Sequence, residues 1–563
     1  MEKVRAKIQE LLASAGVAGE IDLSVPPKTE MGDLAFACFD EAKRLGKNPA
    51  ELSVELSAKI SESDLVAKTA PFGPYLNFFL KPEAVAGLLL GEIIRKNYKY
   101  GQSNQGAKRR VLVEYPSNNT HKELHIGHLR NICIGNSLIE IYRANGYETI
   151  PINYINDFGA HVAKCLWGYL KFHAKDKVPA NRQKWLGEIY AEASQYLKDH
   201  PEEKQEVAEL QIKIEQNDRS IRPLYSRTRK WSLDQFAKVF KELGVRHKKT
   251  FFEKDIKSLG QKVVDELLKK GVAKTGEGGA VIVDLSDYGL DIGLLRKSDG
   301  AGLYLTADLG LALVKNKYFP GIYESVHLTG SEQNFYFKQL FKVLELAGYK
   351  FKPVHIGYGL VNLASGKMSS RAGNVILYDD VWKTVYEKTV EETSVRHKDW
   401  QTKKTAKTAR QIALAAIKFD FLKHESSKNI IFDPNGALSF EGFTGPYVLY
   451  AVARINSILR KQKTNYAKAD FSLLAAPEEK QLVLAASSFD VAVNKAMANR
   501  NPSVIAKYAF DLAKLYGDFY AKHSVLGAGS SGLVKARLAL SFAVKTVLVN
   551  ALNLLAIEPV AEM

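Results

Sequence analysis

The chain has 563 residues, 46% of them hydrophobic, with a formal charge of +17 and a pI near 9.3. That length calls for several domains with sizeable cores, and the basic balance suits a polyanionic partner. Cys38, Cys133 and Cys165 are widely spaced and form no CxxC pair, so neither a disulfide framework nor a structural zinc site is expected. No uncharged apolar stretch approaches the roughly 18–20 residues that span a membrane, and cytoplasmic residence is the expectation.

Residues 1–20 scatter charges among apolar positions and predict an amphipathic helix rather than a signal peptide. Lys28–Ala35 (KTEMGDLA) follows, then helical patterns. Ala70–Leu80 (APFGPYLNFFL) reads as a turn and a strand. Residues 1–105 are thus expected to form a small α+β module. Its end, Gly101–Arg110 (GQSNQGAKRR), is a polar linker.

Val111–Tyr115 (VLVEY) is a β-branched, apolar run that predicts a buried strand. After it come His125-Ile126-Gly127-His128 and a helical pattern over Leu129–Ala144. Thr149–Ile155 (TIPINYI) predicts the next strand. This is βαβ grammar, which implies an α/β fold with a parallel, doubly wound sheet. Residues 171–255 are rich in Lys, Glu and Gln with helical periods, and predict a helical insertion. Strand-like runs return at Ala280–Asp284, Leu303–Leu305, Ser325–Leu328 and Val354–Val361. Beyond about 403 the pattern is helical, ending in helices over Ser503–Ala521 and Leu533–Leu555.

Two segments carry chemistry. The histidines 125 and 128 lie at a strand-to-helix junction, where free backbone N–H groups and the helix dipole favour anions. Two imidazoles there can donate to a phosphate as charge builds on it. Gly127 lacks a Cβ and lets a flat ring approach the backbone. Downstream, Ala364–Asn374 (ASGKMSSRAGN) is a small-residue loop carrying Lys367, Ser369 and Arg371. Point charge and hydroxyl donors suit a triphosphate tail and its leaving pyrophosphate.

HIGH followed by KMSSR, each after a predicted strand, resembles the paired signatures of class I aminoacyl-tRNA synthetases. The second motif of that class usually reads KMSKS, so Ser370 and Arg371 depart from it. Residues 113–131 (VEYPSNNTHKELHIGHLRN) are similar to the HIGH segment of arginyl-tRNA synthetases. The resemblance extends to Tyr304–Leu309 (YLTADL), to Gln333, to 438–460 and to the C-terminal EPVAEM, and the GDLA and GPYLNF segments resemble that family's N-terminal domain. Asn118, Ala307 and Tyr336 stand where proline, arginine and histidine are common.

The resemblance implies a Rossmann-like catalytic domain over 106–402 carrying the insertion, a tRNA-binding domain over 1–105 and an all-α anticodon-binding domain over 403–563. It implies an ATP-dependent, AMP-forming ligase that joins arginine to the 3′ end of tRNA(Arg), a monomer that uses ATP with Mg²⁺. His125, His128, Lys367 and Lys122 would be catalytic, with Gly127, Met368 and Ser369 also at ATP. Glu114 would hold the α-ammonium of arginine, and Asn119, Tyr304, Asp308 and Gln333 would orient the rest. Tyr75 and Asn77 would meet the tRNA elbow, and Tyr447, Tyr450, Arg454 and Met563 the anticodon. Taken singly, Asp308 reads as a helix N-cap, Tyr304 as a core aromatic and Gln333 as a surface amide. Rival readings are a synthetase for cysteine, glutamate or lysine, an idle tRNA-binding homologue, and a small-molecule nucleotidylyltransferase.

Overall fold

The computed structural model describes residues 2–26, 28–60, 63–300, 302–363 and 376–563. Lys367, Met368 and Ser369 lie outside the described residues. At the N-terminus a helix, Glu2–Ser14, accompanies a four-stranded antiparallel sheet. The APFGPYLNFFL segment supplies its hairpin, Val66–Phe72 against Tyr75–Leu80.

Five parallel strands make the central sheet: β1 (Arg110–Glu114), β2 (Glu148–Ile155), β3 (Lys249–Phe252), β4 (Ile322–Gly330) and β5 (Lys352–Tyr358), in the order β5-β4-β1-β2-β3. Val111, Leu112, Val113 and Val326 are fully buried, because helices cover both faces of a parallel sheet. The direction of winding reverses at β1. Crevices that hold ligands open at the carboxyl ends of strands at such a point.

Two expectations are corrected. Within 171–255, read as helical, lies β3; its Lys-Thr-Phe-Phe is too short and too mixed to signal a strand alone. Leu303–Leu305 is not a strand. Leu303 is the N-cap of helix α2 (Tyr304–Tyr318), where its N–H donates to the Thr306 hydroxyl at 3.1 Å. The triplet is the cap and first turn of a helix whose middle, Leu305–Lys315, is buried on most sides, so periodicity does not set it apart. Val281–Asp284 is a strand, but in a separate three-stranded antiparallel sheet.

The helix after HIGH, α1 (Ile126–Ala144), has almost no solvent face. Its polar side chains bond to several neighbours. The Asn131 amide donates to Leu328 O on β4 (2.8 Å), that of Asn136 to Leu243 O in the insertion (3.1 Å), and the Ser137 hydroxyl to Leu554 O near the C-terminus (2.7 Å). The C-terminal region is helical from α3 (Thr402–Leu422) onward, apart from a short strand, Ile430–Phe432. That strand pairs in parallel with Val361–Leu363. Among the described residues no helix is long and apolar enough to cross a membrane.

Candidate active site

A cavity of about 580 Å³ opens at the carboxyl ends of β1, β2, β4 and β5. Strand ends bring Glu114, Tyr154 and Thr329 to it. The start of α1 brings His125 and His128, α2 brings Tyr304 and Asp308, the turn after β4 brings Gln333, and the helix that follows it, Asn334–Leu346, brings Tyr336.

The imidazoles of His125 and His128 lie 3.8 Å apart, centre to centre. Nδ1 of His125 accepts from the Gly127 N–H at 3.1 Å, and Nδ1 of His128 accepts from the His125 N–H at 3.2 Å. Each Nδ1 is therefore an acceptor, which leaves the proton on Nε2 in the neutral ring. Burial, with the Lys122 charge adding, lowers His125 to about 4, and burial drives His128 well below the ordinary histidine range. At neutral pH the pair consists of two uncharged rings whose Nε2–H groups are free of these local bonds. A Cβ on Gly127 would come within 2.9 Å of the His125 ring, so its absence makes room for that imidazole. Gly127 does not line the cavity.

The same cavity wall carries the carboxylates of Asp308 and Glu114. Asp308 lies in the second turn of α2 and is no cap, and it accepts a hydrogen bond from the Tyr336 hydroxyl. Burial, helped by the nearby Glu114 charge and opposed by the Tyr336 bond, pushes its carboxyl up to about 7. Glu114 is buried and ion-paired with Lys315 of α2, and His327 Nδ1 lies 3.8 Å from the same oxygen. Tyr304 is 75% exposed at the mouth of the cavity and is no core aromatic. Asn119 bridges Asn156 in parallel fashion and borders the same space, and Gln333 lines it from the turn after β4. Sequence reasoning missed Lys315 and Tyr336. Lys315 falls on the Asp308 side of α2, seven positions on, the spacing of two helical turns. Tyr336 was visible only as a departure from the family pattern.

A second cavity, of about 530 Å³, shares Asn119, Asn156, Tyr304 and Ala307 with the first, and its wall carries Lys122, His161, Lys164 and Lys257. Lys122 was expected beside the phosphates. It lines this adjoining cavity and not the histidine cavity, with its ammonium 4.8 Å from the Tyr190 ring. The loop that carries it is pinned from the insertion: Gln183 donates to Lys122 O at 2.6 Å. The His121 N–H donates to the Ser232 hydroxyl at 3.0 Å, and His121 Nε2 lies 2.8 Å from Thr228 Oγ1. His121 has φ +61°, a left-handed conformation costly for a side chain of this size.

The residues expected to meet RNA divide. Tyr75 is 40% exposed, edge-on to the exposed Phe39. Asn77 is 1% exposed, and its amide donates to Met31 O at 2.6 Å. The expectation of a surface carrying both is corrected: Asn77 shares its strand face with Tyr75, two positions away, but the turn at Met31 and Gly32 covers it and Asn77 holds that turn. Tyr450 is exposed and accepts from the Arg454 guanidinium at 2.6 Å, while Arg454 also covers the Tyr520 ring. Tyr447, one turn earlier, is half-buried against Phe510. Met563 borders a small cavity with Arg396, His397 and Phe440.

Comparison with known proteins agrees along the whole chain. Residues 90–434 match the model for tRNA synthetases class I (R), catalytic domain; residues 448–563 match the DALR anticodon binding domain, and residues 2–80 the arginyl tRNA synthetase N terminal domain. The arginine--tRNA ligase of Clostridium botulinum (strain Alaska E43 / Type E3) is 35% identical over 546 residues, covering 96% of each chain. That of Treponema pallidum subsp. pallidum is 34% identical over 578 residues, covering 100% of this chain and 98% of the other. The solved arginyl-tRNA synthetase of Thermus thermophilus superposes with a TM-score of 0.84 at 28% identity, covering 99% of this chain and all of that one. With the two histidines, the acidic cavity and the helical C-terminus on one frame, the chain belongs to the arginyl-tRNA synthetase family of class I.

Proposed function

We propose that this protein is an arginine–tRNA ligase that activates arginine with ATP, taken as its magnesium complex, and passes it to tRNA(Arg) in the cytoplasm, acting as a monomer. One observation carries the choice of amino acid: Asp308 and Glu114 share a wall of the cavity that the paired histidines enter. A guanidinium is a planar, permanently charged fork of N–H donors and needs a carboxylate held rigidly. Asp308 receives the guanidinium, with Tyr304 and Gln333 flanking it and Asn119 bordering the substrate. Glu114 takes the α-ammonium.

The carboxylate of arginine attacks the α-phosphorus in line. A C–O–P bond forms, the bond to the β-phosphate breaks, and pyrophosphate leaves. His125 and His128 donate Nε2–H to the α-phosphoryl oxygens as charge gathers there. Lys367 and Ser369 hold the β- and γ-phosphates, and Met368 lies between them in sequence. A ribose hydroxyl of the tRNA then attacks the acyl carbon, and AMP leaves. Positioning and fixed dipoles supply the rate. Lys122, in the adjoining cavity, assists the phosphate chemistry from that side. Pyrophosphate exchange over all twenty amino acids, with and without tRNA, tests the reading: arginine alone should support exchange, and tRNA should be required. Exchange driven by another amino acid would refute it.

Lys367→Ala should slow adenylate formation far more than transfer from preformed adenylate, because the leaving pyrophosphate is absent from the second step. Single-turnover rates of each step decide this. Equal slowing of both would reduce Lys367 to a tRNA or structural contact.

For tRNA, the exposed rings should dominate. A stacked base contributes about 1–3 kcal/mol. Tyr450→Ala and Tyr75→Ala should each raise the tRNA KM roughly five- to hundredfold. Tyr447→Ala should lower the melting temperature instead, since that ring packs on Phe510. The reverse pattern would move the RNA to the other side of this helix.

A further inference from the structure

Lys315 is 3% exposed near the end of α2, a helix that also buries Leu311, Ala312 and Val314. A cation in the last turn of a helix answers the dipole, but Lys317, two positions on, does so from solvent. Burying an ammonium is costly unless a carboxylate receives it. Among the described residues Lys315 has one ion-pair partner, Glu114, at the carboxyl end of β1. The two oxygens of Glu114 are used differently. Oε2 faces the Lys315 ammonium, with His327 Nδ1 3.8 Å away. Burial, with the Lys315 charge adding, holds His327 well below the ordinary histidine range, so that ring is uncharged. Oε1 has no hydrogen bond or ion pair among the described residues, and Glu114 lines the cavity. Lys315 itself does not line it.

The other ionisable groups within reach of Glu114 are Asp308 of α2, Tyr154 of β2 and Tyr336. The tyrosines are neutral, as are His125 and His128. Glu332 also borders the cavity but is exposed. With Asp308 ionised, the buried charges are therefore two carboxylates and one ammonium. Their single net negative charge is the complement of arginine's single net positive charge. Without the lysine, two neighbouring carboxylates in one buried wall could not both stay charged near pH 7, since each raises the other's affinity for a proton. We propose that Lys315 is a positioning residue for arginine: it holds one oxygen of Glu114 and balances its charge, so that the other oxygen takes the α-ammonium while Asp308 takes the guanidinium. The inference rests on the arginine pocket proposed above.

Lys315→Met keeps the length of the side chain and removes its charge. A proton should then settle on the carboxylate pair at neutral pH, and arginine must displace it. In pyrophosphate exchange with tRNA at pH 7, the arginine KM should rise about 10- to 100-fold, the loss of a charge-assisted contact. The kcat at saturating arginine and the ATP KM should stay within about threefold, as for a change in binding alone. Below pH 7 the arginine kcat/KM should fall about a hundredfold per pH unit, against about tenfold in the wild type, because two protons instead of one must leave. Lys315→Arg, which restores the charge, should return the KM and the shallower slope. Adding Glu114→Gln to Lys315→Met should abolish the extra slope and leave the KM high. A lysine that only supports the fold would lower the melting temperature and leave the slope as in the wild type. That slope in folded Lys315→Met, an unchanged arginine KM, or a steepening that persists in the double variant overturns the assignment. The wild-type profile decides where Lys315→Met fails to fold: a loss of about a hundredfold per unit below pH 7 would mean that Glu114 sheds a proton despite Lys315, and overturns it too. Failure of the wild-type protein to exchange with arginine would instead overturn the reading of the reaction.

Discussion

Asp308→Asn should raise the arginine KM by about ten- to a hundredfold while the ATP KM changes little. A charge-assisted hydrogen bond is worth roughly 1.5–3 kcal/mol, and an amide in its place leaves a buried guanidinium facing a neutral group. The raised pKa adds a sharper expectation. The guanidinium binds the ionised carboxylate. The empty site titrates near 7, so below that pH arginine must first drive off a proton. Each further unit down costs a factor of about ten in affinity, and kcat/KM for arginine should fall with that slope as pH drops through 7 and level off above it. The asparagine variant should have no such slope. A wild-type profile that is flat from pH 5.5 to 8, or an unchanged arginine KM in the variant, would remove Asp308 from the pocket.

His125→Ala should lower kcat for pyrophosphate exchange by about 10²–10³-fold, the loss typical of one preorganised donor to a developing oxyanion, with the arginine KM nearly unchanged. His128→Ala should do the same. Both rings are held neutral, with pKa values far below 7, so the wild-type kcat should show no inflection near the ordinary histidine pKa of about 6.5. An inflection there, lost in His125→Ala, would mean that a charged imidazolium does the work and that the hydrogen-bond assignment is wrong.

The parallel sheet was legible because its middle strands are continuous apolar runs, as at Val111–Val113, and because βαβ alternation around HIGH admits few topologies. β3 was not, since Lys249 and Thr250 dilute two phenylalanines, and its pairing with β2 is a fact of tertiary structure. Leu303–Leu305 misled for the opposite reason: a buried helix and a buried strand share an apolar signature over three residues. In the site, Glu114, Asn119, Tyr304, Asp308 and Gln333 were found through motif resemblance, and all line one cavity. Lys315 was invisible because a lysine inside an apolar helix is ordinarily a surface residue, and nothing in its spacing names Glu114 as its partner. The location of Lys122 depended on the insertion helices that pin its loop, a long-range contact no local pattern reports.

α1 is buried on nearly every side and hydrogen-bonded to β4, to the insertion and to the last helix of the chain. A helix so enclosed has no neutral face on which substitutions can drift. Each position answers to a different neighbour, and those neighbours come from regions far apart in sequence. The regions of this enzyme are therefore poor material for shuffling. A chimera that takes its C-terminal helices from a distant relative must also inherit a matching side chain at Ser137, and one that exchanges the insertion a matching side chain at Asn136. Divergence along the lineage should proceed by correlated change around this one helix rather than by exchange of whole parts.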